Sequence, residues 1–175
     1  MTGVVTIIGA TLPAWIGLWF LISATGKTRH RSRIEHELGS YTVVPRSRAI
    51  VLSLIAAEVA IGIGAIAGPL QVSMVGGAIL MTTSALAMSV DLLRGIRHAC
   101  GCGSAKRQIS WRLAGRNLAV GAVALVLAVI EPTPGIEIRL LGLVQAATTF
   151  AVLEAMRSFV ATRRARTLVP GPLVQ

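Results

Sequence analysis

Apolar positions in this chain come in long unbroken blocks, separated by short polar and strongly basic stretches. A helix needs about 20 apolar residues to cross about 30 Å of hydrocarbon, and several of the blocks approach that length. The first runs from Val4 to Ala24 and carries Pro13, whose ring removes one backbone hydrogen bond and is expected to kink the helix. Met1, Thr2 and Gly3 supply no Lys or Arg ahead of it, so it lacks the charged start of a secretory signal peptide and reads as a retained helix. Trp15 and Trp19 fall at i, i+4 on one face of it and read as packing or interfacial anchors.

A polar connection follows from Gly26 to Arg48, in which Ser32 to Leu38 is set to form a short surface helix and Tyr41 to Val44 makes a brief apolar contact before Pro45. The second block runs from Ala49 to Ala67. Gly68 and Pro69 then form a tight turn into the third, from Leu70 to Leu93. Asp91 lies at its end, where a salt bridge with Arg94 or helix-end hydrogen bonds would account for it. A polar loop spans Gly95 to Ser110, a fourth apolar helix runs from Trp111 to Ile130, and Glu131 to Gly135 make a second proline-rich turn. The last apolar stretch, Ile136 to Val160, is the weakest, with Glu137, Arg139, Gln145, Glu154 and Arg157 in it. It crosses only if its charged ends snorkel. The expected architecture is therefore all-α, a polytopic membrane bundle of four or five transmembrane helices. Residues 1–160 form a single domain with a cysteine loop at about 95–110, and residues 161–175 form a basic, disordered tail.

Composition agrees with that pattern. Hydrophobic residues make up 54% of the chain and charged ones only 14%, too few for the surface of a soluble domain. The net charge of +10 would suggest nucleic acid in a soluble protein, but these cations sit in blocks between apolar runs, where they act as topology signals. No nucleotide loop, Ser/His/Asp arrangement or pair of carboxylates at useful spacing is present, which argues against a conventional soluble enzyme.

Two features carry candidate chemistry. Glu58 sits near the middle of the second block, where a charged side chain costs at least about 2.5–3.5 kcal/mol. It must face the bundle, either protonated or paired, as a buried hydrogen-bonding acid or as a proton or quinone contact. The same helix places Ala56, Ala60, Gly64 and Gly68 at successive i+4 positions, a small-residue stripe suited to close helix packing.

The second feature is Cys100 and Cys102, the chain's only cysteines, flanked by Gly101 and Gly103. Three readings compete. Gly101 lets the backbone bend enough for a small-ring disulfide, which would be easily reduced and suits a redox role. Alternatively, His98, Cys100 and Cys102 offer an imidazole and two thiolates to zinc or copper, with no obvious fourth ligand. In the third reading the thiols are inert, against which stand the glycines and the cations Arg97 and Lys106, which would keep them accessible and lower their pKa values.

The order Arg94-Gly95, Cys100-Gly101-Cys102-Gly103, Ile109-Ser110-Trp111 and Arg116-Asn117, opening an apolar helix, resembles the methylamine utilisation protein MauE family, related to DoxX-like membrane proteins. Ala24, Gly26 and Lys27 after the first span, the Leu38 to Pro45 segment with Tyr41, and Glu58 extend the likeness over residues 4–130. The resemblance implies a membrane thiol-disulfide oxidoreductase that uses Cys100 and Cys102 beside a thioredoxin-like partner. It would support disulfide formation in an exported protein such as the methylamine dehydrogenase small subunit. Glu58, Arg116 and Asn117 are the candidates for quinone or proton contacts. The alternative is a non-redox accessory protein, either a metal-binding one through His98, Cys100 and Cys102 or an assembly scaffold.

The cations then predict orientation. Six lie between the first two spans, six at or after the end of the third and four in the tail, leaving only Arg139 for the opposite face. The positive-inside rule places this chain in the plasma (inner) membrane with its N-terminus outside and its cysteine loop and C-terminus in the cytoplasm.

Overall fold

The computed structural model describes residues 2–100, 108–130, 141–149 and 151–152, with side chains described from residue 11 onward. Helix α1 covers Thr2–Arg29, α2 Arg31–Leu38, α3 Arg48–Ala67, α4 Leu70–Leu93 and α5 Trp111–Ile130, and residues 141–149 and 151–152 are helical as well. Among the described residues the only strand-type pairing is an isolated bridge between Ala99 and Gln108. The all-α expectation holds. Among the described residues three helices, α3, α4 and α5, are long and apolar enough to cross a membrane. The Glu131 to Gly135 turn, the ends of the last apolar stretch and the tail lie outside the described residues.

Helix α1 runs five residues further than its apolar block. Thr25 and Thr28 donate their hydroxyls back to the Leu21 and Ala24 carbonyls, so these polar residues add donors to the helix instead of ending it. The connection expected from Gly26 therefore begins at His30, and α2 follows at once. Pro13 sits within the continuous α1. The Ser47 hydroxyl accepts from the Ala49 amide and caps the start of α3, and the turn at Gly68 and Pro69 reverses the chain into α4 as expected.

α1 packs chiefly on α3, and α4 on α5. The α1–α3 approach is set by glycines. A Cβ on Gly17 would lie 2.9 Å from the Gly62 carbonyl oxygen, and one on Gly62 would lie 2.9 Å from that of Gly17. This differs from the expected seam. Ala56 and Ala60 are exposed, while Gly64 faces Ser73 in the α3–α4 hairpin. Two apolar clusters fill the interior, one around Phe20, Ile61, Met74 and Ala124 and the other around Tyr41, Met88, Cys100, Ile109 and Leu113. The last helical segment lies against α1, where the Thr11 hydroxyl donates to the Gln145 side chain and Ala146 is fully buried.

Antiparallel packing gathers the C-termini of α1 and α4 and the N-termini of α3 and α5 at one end. The segment before α3 and the cysteine loop meet there.

Candidate functional site

Asp91 joins the two loops. Its Oδ1 accepts from the Thr42 amide at 3.3 Å and from the Thr42 hydroxyl, while its Oδ2 lies 2.9 Å from His98 Nε2. Neither the Arg94 salt bridge nor a helix-end role is what the carboxylate serves; the Arg94 amide bonds instead to the Val90 and Asp91 carbonyls. The distant partners come from loop closure, which brings residues 49 apart in sequence together.

Tyr41 completes the closure. Its hydroxyl donates to the Cys100 carbonyl at 2.9 Å, and its ring meets the His98 ring edge-on at 4.3 Å. Burial raises the Tyr41 phenol above its ordinary value of 10.0, and the Asp91 and Glu37 carboxylates add to the effect. On the far side, the Ile109 amide donates to the His98 carbonyl at 2.9 Å, which clamps the base of the cysteine loop.

Cys100 is disulfide-bonded. Cys102 is the chain's only other cysteine, and its position, with Gly101, Gly103 and Lys106, lies outside the described residues. The sequence reading expected accessible thiols. Cys100 is only 4% exposed, set among Tyr41, Met88, Ile109 and Leu113 with its Sγ 4.0 Å from Met88 Sδ. The neighbouring Arg97 is exposed, so it does not open a path to Cys100. His98 is also engaged at both nitrogens, Nε2 facing Asp91 and Nδ1 lying 2.9 Å from the Ala99 carbonyl oxygen. To offer a lone pair to a metal it would have to leave one of them. Among the described residues no cluster of three or more His, Cys, Asp or Glu side chains is placed to hold a metal ion.

Glu58 is paired. Lys27 Nζ lies 2.6 Å from its Oε1 and 2.6 Å from Ser23 Oγ, and the Ser23 hydroxyl donates to the same Oε1 at 3.1 Å. Both charged side chains are almost completely buried, 3% and 4% exposed. Side chains on a helix lean toward its N-terminus, so Lys27 reaches back over the Ser23 turn into the bundle instead of outward to the surface. Glu58 Oε2 is buried with no hydrogen-bond partner.

A cavity of about 240 Å³ connects these groups. Its walls come from all five helices and both loops, and Lys27, Tyr41, Glu58, Cys100, Arg116 and Asn117 all line it. Asn117 is buried, and the exposed Arg116 stacks its guanidinium 5.3 Å from the centre of the Trp19 ring. Four residues singled out in the sequence, Glu58, Cys100, Arg116 and Asn117, therefore border one space, whereas His98 lies behind Tyr41, outside its lining.

Lys27, Ser23 and Tyr41 were missed as members of the site. Lys27 did carry a signal: it is one of two lysines in a chain whose other cations are all arginine. A flexible apolar stem ending in a compact ammonium suits a buried carboxylate better than a rigid guanidinium fork.

No solved structure matches this chain. Residues 5–131 match the family model described as methylamine utilisation protein MauE. A protein of Paracoccus denitrificans named methylamine utilization protein MauE is 33% identical to it over 123 residues. That alignment covers 67% of this chain and 66% of the relative, just under two thirds of the relative's length. The matched region holds α1 from its fourth residue, α2 to α5, the cysteine loop and every residue lining the cavity, and the chain belongs to the MauE family of membrane proteins.

Proposed function

We propose that this chain is a membrane thiol-disulfide redox protein working through Cys100 and Cys102. It would serve the maturation of an exported disulfide-containing protein, of which the methylamine dehydrogenase small subunit is the example suggested by the relative's name. The observation that carries the reading is the placing of Cys100, which is disulfide-bonded and forms part of the wall of a cavity holding a buried ion pair. A structural staple for the loop would need no such cavity, because the Ala99–Gln108 bridge, Tyr41 and Asp91 already close it.

The chemistry is exchange with a thioredoxin-like partner. A partner thiolate attacks one sulfur of the pair and forms a mixed disulfide; the partner's second thiol resolves it, and two electrons and two protons pass to the Cys100/Cys102 pair. Cys100 is shielded by Tyr41 and Met88, so attack falls on Cys102.

Mass-tagged alkylation after acid quenching tests this directly. Wild-type chain should divide between oxidised and reduced forms in cells, and Cys100→Ser, in which the Cys102 thiolate can still attack the disulfide of an oxidised partner in the reverse exchange but has no Cys100 to resolve the product, should accumulate a mixed disulfide of higher mass. A pair found fully reduced under every growth condition would overturn the reading and favour the metal-binding or scaffold alternative.

A further inference from the structure

The cavity beside Cys100 contains a carboxylate oxygen with no donor. Glu58 Oε1 receives both available hydrogen bonds, from Lys27 and Ser23, and Oε2 is buried without a partner. An unpaired acceptor on a charged group is costly in a dry interior, and one that borders a cavity calls for an occupant that donates. Lys27 has three ammonium protons and uses two, on Ser23 and Oε1, which leaves one for an acceptor on the same occupant.

The other walls limit what that occupant is. Trp19, Phe20, Leu54 and Met81 make them mainly apolar, and the space is about 240 Å³. A cavity of about 150 Å³ holds a benzene, so this one takes a single substituted ring and not a polycyclic ligand. Glu58 lies ten residues into α3, about 15 Å along a helix long enough to span, while Tyr41 and Cys100 close the cavity at the loop end, so the space runs from the middle of the span toward the loops. An occupant reaching it from the bilayer is itself lipid-soluble. Finally, the chain has two cysteines and no third to carry electrons onward.

We propose that the cavity seats the ring of a membrane quinone, which accepts two electrons from the reduced Cys100/Cys102 pair. This rests on the thiol-disulfide reading above and supplies its missing electron partner. Two S–H bonds break and one S–S bond forms. Two electrons and two protons pass to the quinone, whose two carbonyl oxygens become hydroxyls. Lys27 donates to the carbonyl oxygen in the bound quinone, and Glu58 Oε2 accepts from the hydroxyl that replaces it, so the pair binds both redox forms of the ring.

The test uses purified full-length protein in detergent micelles, reduced and freed of reductant, with a short-tailed ubiquinone analogue. Every ring position of that probe is substituted, so thiols cannot add to it. Each chain should convert one quinone to quinol and lose two thiols. The same probe should quench tryptophan fluorescence saturably, including in Cys102→Ser, where electron transfer is absent. Glu58→Gln removes the acceptor, and Ala87→Leu adds bulk to the cavity wall while leaving Lys27 and Glu58 unchanged. Each should raise the half-saturating quinone concentration at least about tenfold, as loss of a charge-assisted hydrogen bond or of the space itself would. Exchange with dithiothreitol reports separately on the pair. A pair that exchanges with dithiothreitol while quinone neither quenches nor oxidises overturns the cavity assignment and leaves the thiol reading standing. A pair inert to dithiothreitol, in a chain that quinone still quenches, overturns the thiol reading instead.

Discussion

Lys27 and Glu58 define what this bundle tolerates in its interior. Two charges taken out of water are held by one contact of 2.6 Å and by Ser23, so removing one partner is worse than removing both. Lys27→Met should lower stability by about 3–5 kcal/mol, and the double variant Lys27→Met with Glu58→Leu should recover most of that loss. Denaturant unfolding in micelles measures both; losses that simply add would mean the ion pair is not the interaction that matters. Half of this pair was legible beforehand. An acid inside an apolar block advertises its cost, so Glu58 stood out at once. Its cation sits in a run of arginines that reads as a topology signal, and nothing in a linear pattern says that one member of the run turns inward. Asp91 is the same problem reversed: its sequence neighbour Arg94 was the obvious partner, while Thr42 and His98 became available only through loop closure.

Between helices, close approach depends on which glycines coincide. Four-residue steps advance a helix by 400°, so the run from Ala56 to Gly68 drifts around about 120° of the α3 surface and cannot stay on one seam. Gly62, off that stripe, meets Gly17 of α1 backbone to backbone. A Cβ at Gly62 would lie 2.9 Å from the Gly17 oxygen and 2.7 Å from Leu21 Cγ, and a backbone oxygen cannot rotate away. Gly62→Ala is therefore expected to force α1 and α3 apart at a cost of about 1–3 kcal/mol. Gly64→Ala, which meets the Ser73 hydroxyl and, at 3.2 Å, the Ser73 Cβ but no backbone atom of another helix, should cost less because the hydroxyl can turn and the Cβ has only a few tenths of an ångström to give. Thermal unfolding of the two variants in the same detergent compares them, and equal losses would show that the Gly17–Gly62 contact is not the tighter seam. Helix existence and order were readable from block length alone. Ends and faces were not, since threonines carried α1 beyond its apolar block and rotation about a helix axis leaves no trace in hydropathy.

For the molecule as a whole, both loops at the cysteine end are basic, and Asp91 and Tyr41 fasten them together. Lys27 contributes nothing to that face because Glu58 neutralises it, yet Arg29, Arg31, Arg33, Arg46 and Arg48 remain on one side of the contact and Arg94 and Arg97 on the other. The charge rule then predicts a cytoplasmic disulfide loop. After reduction of intact cells with a permeant reductant, a membrane-impermeant maleimide should leave the chain unlabelled, and a permeant one should label it. Labelling by the impermeant reagent would invert the orientation and bring the pair into direct contact with exported substrate. In the cytoplasmic orientation the pair would exchange only with thiols on the cytoplasmic side. The cysteine loop, Glu58, Arg116 and Asn117 were all named from sequence, but the cavity that unites them belongs to the packing of five helices and two loops, and no single segment encodes it.

Tyr41 is the only tyrosine in the chain, and its hydroxyl is bonded to the carbonyl of Cys100. The protein thus carries a built-in optical gauge of its own cysteine loop. A phenol held above its ordinary value of 10.0 stays neutral in alkali while the loop is shut and ionises early once it opens. Any stability that its burial contributes is complete below the unfolded value and disappears only as pH climbs through the raised one. Phenolate absorbance recorded against pH should give a single titration midpoint above 10.0, and that midpoint should fall toward the free-tyrosine value in Asp91→Ala, in which the two loops are no longer fastened. A midpoint that ignores the Asp91 substitution would mean that the loops stay shut without it. Comparing oxidised with reduced protein then shows, without any label, whether breaking the disulfide loosens its surroundings.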